Sequence, residues 1–346
     1  MMINGGIYRP SPVDEVLTPF ISIWRTTGAG ETLEFPFQSA VVYNCEVDWG
    51  DGTTDTITNS LNPEAIHTYA IAGDHTITIT GLCPMVSVFF RASMRLKLIE
   101  IVNLGEVGWL SFANAFQGCE NLHTVTIGTT DTSNVSDFHL MFGNCRGIID
   151  GPDMSGVDVS NAFTINAIFN NCSGMTSPPN VSNWDVSTVA DAGIMFNGCT
   201  LLVTAPDVSA WDTSSITNLG TAFGTNTNMN PAPDTTGWDT SQVTDMSAMY
   251  TWSPAMGTTV VDSMIHFNIS NVTVMSTMFS NVVLPTADYD RLLVAFADQI
   301  ATTGIIAGVR FDGGDSNYTA GGAGETARNT LTGAPHNWII TDLGSV

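Results

Sequence analysis

The sequence predicts a mixed architecture, an N-terminal all-β sandwich followed by an α/β solenoid with capped ends. Three observations carry this. A 27-residue phrase recurs between residues 105 and 283, placing Asp131, Asp158, Asp185, Asp212 and Asp239 at intervals of 27; a fixed period of this size marks a stack of coils, each burying its apolar face against its neighbours. Residues 19–82 alternate apolar and polar residues between turn clusters, as strands do. Residues 83–104 and 286–346 depart from the phrase, as end coils must if they shield the core from water. The expected divisions are an arm over 1–18, the sandwich over 19–82, the solenoid over 83–285 and a C-terminal α/β cap over 286–346.

Pro10, Pro12 and Pro19 make the arm extended, either a tail or an anchor that folds onto a partner. In the sandwich, strands are expected at Phe20 to Trp24, Thr32 to Phe35, Tyr43 to Val47 and His75 to Thr80. Leu96, Leu98, Ile99, Ile101 and Leu104 read as the apolar face of a first coil. Within a coil, Val243, Met246, Met249 and Tyr250 stand at helical spacing, which predicts two helical turns with Thr244 as N-cap. The stretch Pro-Asp-Val-Ser-x-Trp, as at Pro206 to Trp211, predicts a strand that pairs in parallel with those of neighbouring coils. The step from Asp239 to Asn268 is 29, so a bulge is expected near residues 256–261. In the cap, helices are expected from Thr286 to about Ala301 and from Glu325 to Leu331, with a last strand at Trp338 to Ile340.

Net charge is −24 and Lys97 is the only lysine. Such a surface repels phosphate backbones and anionic lipid, which argues against nucleic-acid binding and membrane insertion. The opening residues lack a basic start and an apolar core, so no signal peptide is expected, and the longest apolar stretch is too short to span a bilayer. Of six cysteines, Cys119, Cys145, Cys172 and Cys199 share one slot of the phrase and read as a ladder of small buried hydrophobes, not disulfides.

The repeated Asp, with Ser133, Ser160, Ser187, Ser214 and Ser241 two positions on, reads as turn architecture: the carboxylate accepts from amides just ahead of it. A catalytic or Ca²⁺-binding row is the sharper alternative. Asp48, Asp51, Asp55 and Asp74 are Ca²⁺ candidates of the same kind, with turn formation again preferred because their spacing matches no EF-hand loop. No recurring nucleophile, phosphate loop or metal-binding His pair is present, so no cofactor and no enzyme activity are expected.

The segment Val47-Asp48-Trp49-Gly50-Asp51-Gly52-Thr53, followed by His67-Thr68-Tyr69, resembles the polycystic kidney disease (PKD) domain, an immunoglobulin-like sandwich. The resemblance implies a spacer or adhesion module, with Tyr69 bonding its hydroxyl to backbone to close the sandwich. The phrase itself, clearest at Trp184 to Leu202 and Trp238 to Tyr250, is similar to the BspA-like leucine-rich-repeat family. Asn226, Ser253 and Val282 replace its cysteine. That family's members are mostly bacterial surface proteins that bind host or matrix proteins, and related PKD-plus-repeat chains occur in phage.

These readings together predict a non-enzymatic recognition or adhesion protein, displayed on a bacteriophage virion, with a bacterial surface adhesin or a purely structural capsid or tail decoration as alternatives. Expected partners are a host cell-surface protein or glycan, other virion proteins through the arm, and a second copy of the chain. The recognition face is expected where the phrase varies: Asn183, Ala210 and Gly237; Thr188, Ser215 and Gln242; and Trp252, with Tyr250 placed in the core.

Overall fold

The computed structural model describes residues 17–39, 41–257 and 259–346. The expected arm lies almost wholly outside the described residues.

Strands β1 (Phe20–Thr26), β2 (Glu31–Glu34), β3 (Asn44–Asp48), β4 (Thr54–Ile57), β5 (Ile66–Tyr69) and β6 (Gly73–Leu82) make up the N-terminal region. One sheet runs in the order β4-β3-β6-β1 and continues through β7 (Leu98–Asn103) to β8 (Thr124–Val125), while β2 pairs with β5 in a second sheet. The alternation in β1 buries Phe20, Ser22, Trp24 and Thr26. The buried Ser22 hydroxyl is not wasted, because it accepts from the Trp24 indole at 2.8 Å. The Tyr69 hydroxyl donates to the Trp49 carbonyl at 2.9 Å, and His67 stacks on Trp49 with ring centroids 4.9 Å apart. The two halves of the PKD-like motif are thus joined in space.

The sheet crosses the division expected at residue 82. β7 lies antiparallel to β1 and parallel to β8, and Phe20 packs on Trp109 and Phe116 at 5.6 and 6.4 Å. Leu98, Ile101 and Leu104 are buried as a first coil requires, but Leu96, expected beside them, is 55% exposed. It sits in the turn before β7, where Asn121 holds its carbonyl, so its side chain falls outside the coil's alternation.

The repeated coils stack through their backbones, but not with the elements the spacing predicts. Residues 243–250 form no helix. The amides of Leu219, Thr221, Phe223 and Thr225 instead donate to the carbonyls of Asp245, Ser247, Met249 and Thr251 on the next coil, at 2.9, 2.7, 3.1 and 2.6 Å. The intervening amides of Ala222 and Gly224 close short turns onto Leu219 and Thr221. This alternation needs left-handed backbone: φ is +54 at Leu140, +57 at Ala167, +60 at Ile194, +58 at Thr221 and +53 at Ala248. Each such residue costs about 1–2 kcal/mol. A helix would avoid that cost, but it would spend every amide within its own coil and leave the neighbouring coil's carbonyls unpaired. Thr244 is therefore no N-cap; its amide and hydroxyl both donate to the Thr217 carbonyl.

The strand expected at Pro-Asp-Val is also reduced, to isolated parallel bridges such as Asp153 to Asn180. Regular bridging falls instead at Asp137, Thr164, Asp191, Asn218, Asp245 and Val274, each paired with the next. Inside, Phe116, Phe142, Phe169, Phe196, Phe223, Tyr250 and Phe279 form one continuous ladder of rings, 5.6–6.1 Å between centroids. Trp184, Trp211 and Trp238 form a second, at 6.1 and 6.2 Å.

The 29-residue step is absorbed by a 3-10 turn at Pro254–Met256 and the short helix α1 (Val260–Met264). The cap holds α2 (Thr286–Thr302), β9 (Arg310–Asp312), α3 (Ala323–Thr332) and β10 (Ile339–Thr341), close to the expected bounds. Phe311 of β9 meets Phe279 and Phe296 edge-on, which ends the ring ladder against the cap.

Candidate recognition surface

Each coil turns on three side-chain corners. At the first, Ser155, Ser209 and Thr236 donate their amides to Asp153, Asp207 and Asp234. At the second, Ser133, Ser160, Ser187, Ser214 and Ser241 donate to Asp131, Asp158, Asp185, Asp212 and Asp239 at 2.9–3.1 Å. At the third, His139, Gly193, Gly220 and Ser247 donate to Asp137, Asp191, Asn218 and Asp245. The repeated carboxylates are turn formers. Ser214 and Ser155 hold Asp212 and Asp153 below the usual carboxylate range, and Thr236 does so for Asp234.

Stacked carboxylates repel, and the third corner avoids this by alternation. Asp191 lies between Asn166 and Asn218, and both amides donate to its Oδ1, at 3.0 and 2.9 Å. Asp153 is likewise capped by Asn180 at 2.9 Å.

The candidate face residues divide in two. Asn183, Ala210 and Gly237 are exposed just before the stacked tryptophans, and Thr188 and Gln242 are exposed, with Ser215 half-buried, just after the second corner. Several of these slots also tie coils together: Asn183 donates to the Ser155 carbonyl at 2.9 Å and Thr188 to the Ser160 carbonyl at 2.8 Å. Asn161 and Asn271, in the slot of Thr188, do the same. Variation there is thus partly a matter of stacking, which the sequence reading did not foresee.

Trp252 stands apart. It is 56% exposed, with φ +53. Its slot elsewhere holds Asn144, Asn171, Gly198, Thr225 and Asn281, also at positive φ, where Asn and Gly carry the least strain. Pro254 and Val283 are also exposed. Tyr250 is buried, as expected.

The Ca²⁺ candidates do not converge. Asp48 accepts from the Gly50 amide, Asp51 from Thr53 and from His67 at 2.7 Å, and Asp55 from the Trp49 indole at 2.8 Å; Asp74 pairs with Arg25 at 2.6 Å. Among the described residues no group of three His, Cys, Asp or Glu is placed to hold a metal ion, and no helix is long and apolar enough to cross a membrane. The sequence reading missed Arg95, which lines a cavity beside the first coils. Its only advance signal was the scarcity of cations, nine in the whole chain.

A stack of similar coils with Asx corners and polar, exposed edges defines a repeat protein. The chain belongs to the family described as "Mycoplasma protein of unknown function, DUF285", matched over residues 110–206 and 163–291, which makes it a BspA-like repeat protein. No curated protein and no solved structure matches it.

Proposed function

We propose that this chain is a non-enzymatic recognition protein displayed on a bacteriophage virion. A leucine-rich-repeat-type solenoid presents its edges to a host cell-surface protein or glycan. The PKD-like sandwich acts as spacer, and the N-terminal arm anchors the chain to other virion proteins. One observation carries the reading. Trp252 places a large apolar ring in solvent, on left-handed backbone, at a slot otherwise held mainly by Asn and Gly. That arrangement costs folding stability, and aromatic anchors of this kind dominate interface energetics.

Membership of the BspA-like repeat family favours a second setting, the bacterial cell surface, for the same recognition role. Purified, fluorescently labelled protein incubated with candidate host cells tests the role in either setting. Saturable binding that falls on Trp252→Gly is expected. Binding to virion components alone would leave decoration as the function, and turnover of a surface polysaccharide would replace recognition with catalysis. Immunogold labelling of virions and of cells separates the two settings.

A further inference from the structure

A cavity of about 450 Å³ opens where the segment before β7 meets the first two coils, lined by Phe89, Arg95, Leu96, Gln117, Glu120 and Asn144 among others. Its size falls within the ~300–1,000 Å³ of small-molecule sites.

Arg95 is unusual in a chain of net charge −24. Arg25, Arg91, Lys97, Arg146, Arg291 and Arg328 all pair with carboxylates. Arg95 has no acidic partner among the described residues. Its guanidinium lies 4.8 Å over the Phe89 ring and donates through Nη2 to the Phe89 carbonyl. Its Nε is buried with no hydrogen-bond partner, and so is Oε1 of Gln117. A buried unmet donor or acceptor is costly, so both side chains gain by meeting a ligand. Gly118 keeps the space for the arginine: at φ +77 it has no side chain, and a Cβ there would lie 3.1 Å from Arg95 Cδ. Asn144 Oδ1 is taken by Asn171, which leaves the Asn144 amide hydrogens for another acceptor.

We infer that this cavity binds a carboxylated sugar residue, a uronic acid within a glycan. The guanidinium fork matches a carboxylate. The unmet Gln117 oxygen needs a hydroxyl donor, which a uronic acid supplies beside its carboxylate and chloride or sulfate does not. Leu96, exposed at the rim, offers an apolar wall to the C–H face of the ring. The inference rests on the recognition reading above for the source of the glycan.

The probes are sodium glucuronate and galacturonate, with glucose and galactose as neutral counterparts, titrated into the full chain and followed by ligand-observed NMR and calorimetry. Uronates should bind at least about tenfold more tightly than hexoses, and Arg95→Gln should reduce uronate binding about tenfold or more. Arg310→Gln, an exposed cation on β9, should leave it unchanged. Glu120→Gln should strengthen uronate binding, since it removes a rim carboxylate, and this variant decides the matter if Arg95→Gln fails to fold. Equal affinity for hexoses, absence of uronate binding, or indifference to both Arg95→Gln and Glu120→Gln overturns the site. Cell binding that persists in saturating glucuronate overturns it while leaving the recognition role intact; absence of cell binding beside Arg95-dependent uronate binding overturns the role and keeps the site.

Discussion

The thiol of Cys172 donates to the main-chain carbonyl of Phe142, 30 residues earlier and one coil away, at 3.1 Å. Cys145 and Cys199 repeat the bond to Phe116 and Phe169. At two of the three positions where the cysteine is replaced the bond survives, from Asn226 to Phe196 at 2.9 Å and from Ser253 to Phe223 at 3.1 Å; at the third, Val282 fills the slot without a donor. From Cys145 to Ser253 the slot holds a small buried donor, and only the last coil fills it with a hydrophobe, Val282. Burial pushes the Cys172 thiol well above its ordinary range, so it keeps the proton it donates.

Cys172→Ser should therefore keep most of the native stability, while Cys172→Ala should lose about 0.5–1.5 kcal/mol by removing one of the two hydrogen bonds that the Phe142 carbonyl accepts, the other coming from the Cys145 amide. Asn226→Ala should cost more, because Asn226 also donates to the Phe223 carbonyl. Urea denaturation of the three variants checks the order; a serine variant weaker than the alanine one would refute the donor role.

The ring ladder makes a second prediction. Phe196 lies between Phe169 at 5.7 Å and Phe223 at 6.0 Å, and Phe196→Ala should cost about 3–5 kcal/mol. Tyr250→Phe should be neutral or gain up to about 1 kcal/mol, since the Tyr250 hydroxyl is buried without a hydrogen-bond partner. A marked loss on Tyr250→Phe, seen as a lower melting temperature, would show that the hydroxyl is satisfied.

Trp252→Gly should stabilise the chain by about 1 kcal/mol through relief of left-handed strain, while weakening recognition. Opposite movements of melting temperature and cell binding are expected. Equal falls in both would mean that the indole supports the fold.

Acid offers a fourth test. Lys97, with the amides of Thr27 and Gly28, lowers the Glu31 carboxyl from 4.5 to about 2. A depressed folded value means that the unfolded chain binds its proton first as pH falls. The stabilisation is therefore complete above about 4.5 and vanishes as pH drops through about 2. Glu31→Gln should lower the melting temperature at neutral pH, and the gap from the parent should close over that window. The gap is the useful readout, because acidification also relieves the self-repulsion of a chain at −24. A gap constant with pH would exclude the Lys97 pairing.

Local chemistry was legible wherever a residue's partner lies a few positions away. The Asp–Ser turns and the helix at Thr286–Thr302 could be read this way, while the buried Phe slot was legible from its recurrence and the Tyr69 hydroxyl bond to backbone from the PKD-like motif. Leu96 was misread because periodicity cannot tell the end of a turn from the start of a strand. Arg95 could not be read as a site residue, since its environment comes from Gln117, Glu120 and Asn144 on two later coils.

The sequence by itself determined the period, the corners and the order of core residues, because these follow from spacing and from side chains that bond their own backbone. The conformation between corners was decided only by stacking. Val243 to Tyr250 has helical spacing, yet its carbonyls accept from the coil before it, and the amides of Met246, Ala248 and Tyr250 donate to Val274, Ser276 and Met278 on the coil after it. No local pattern encodes that choice, since a backbone amide takes the carbonyl that the assembled neighbour presents, and this one lies 28 residues away.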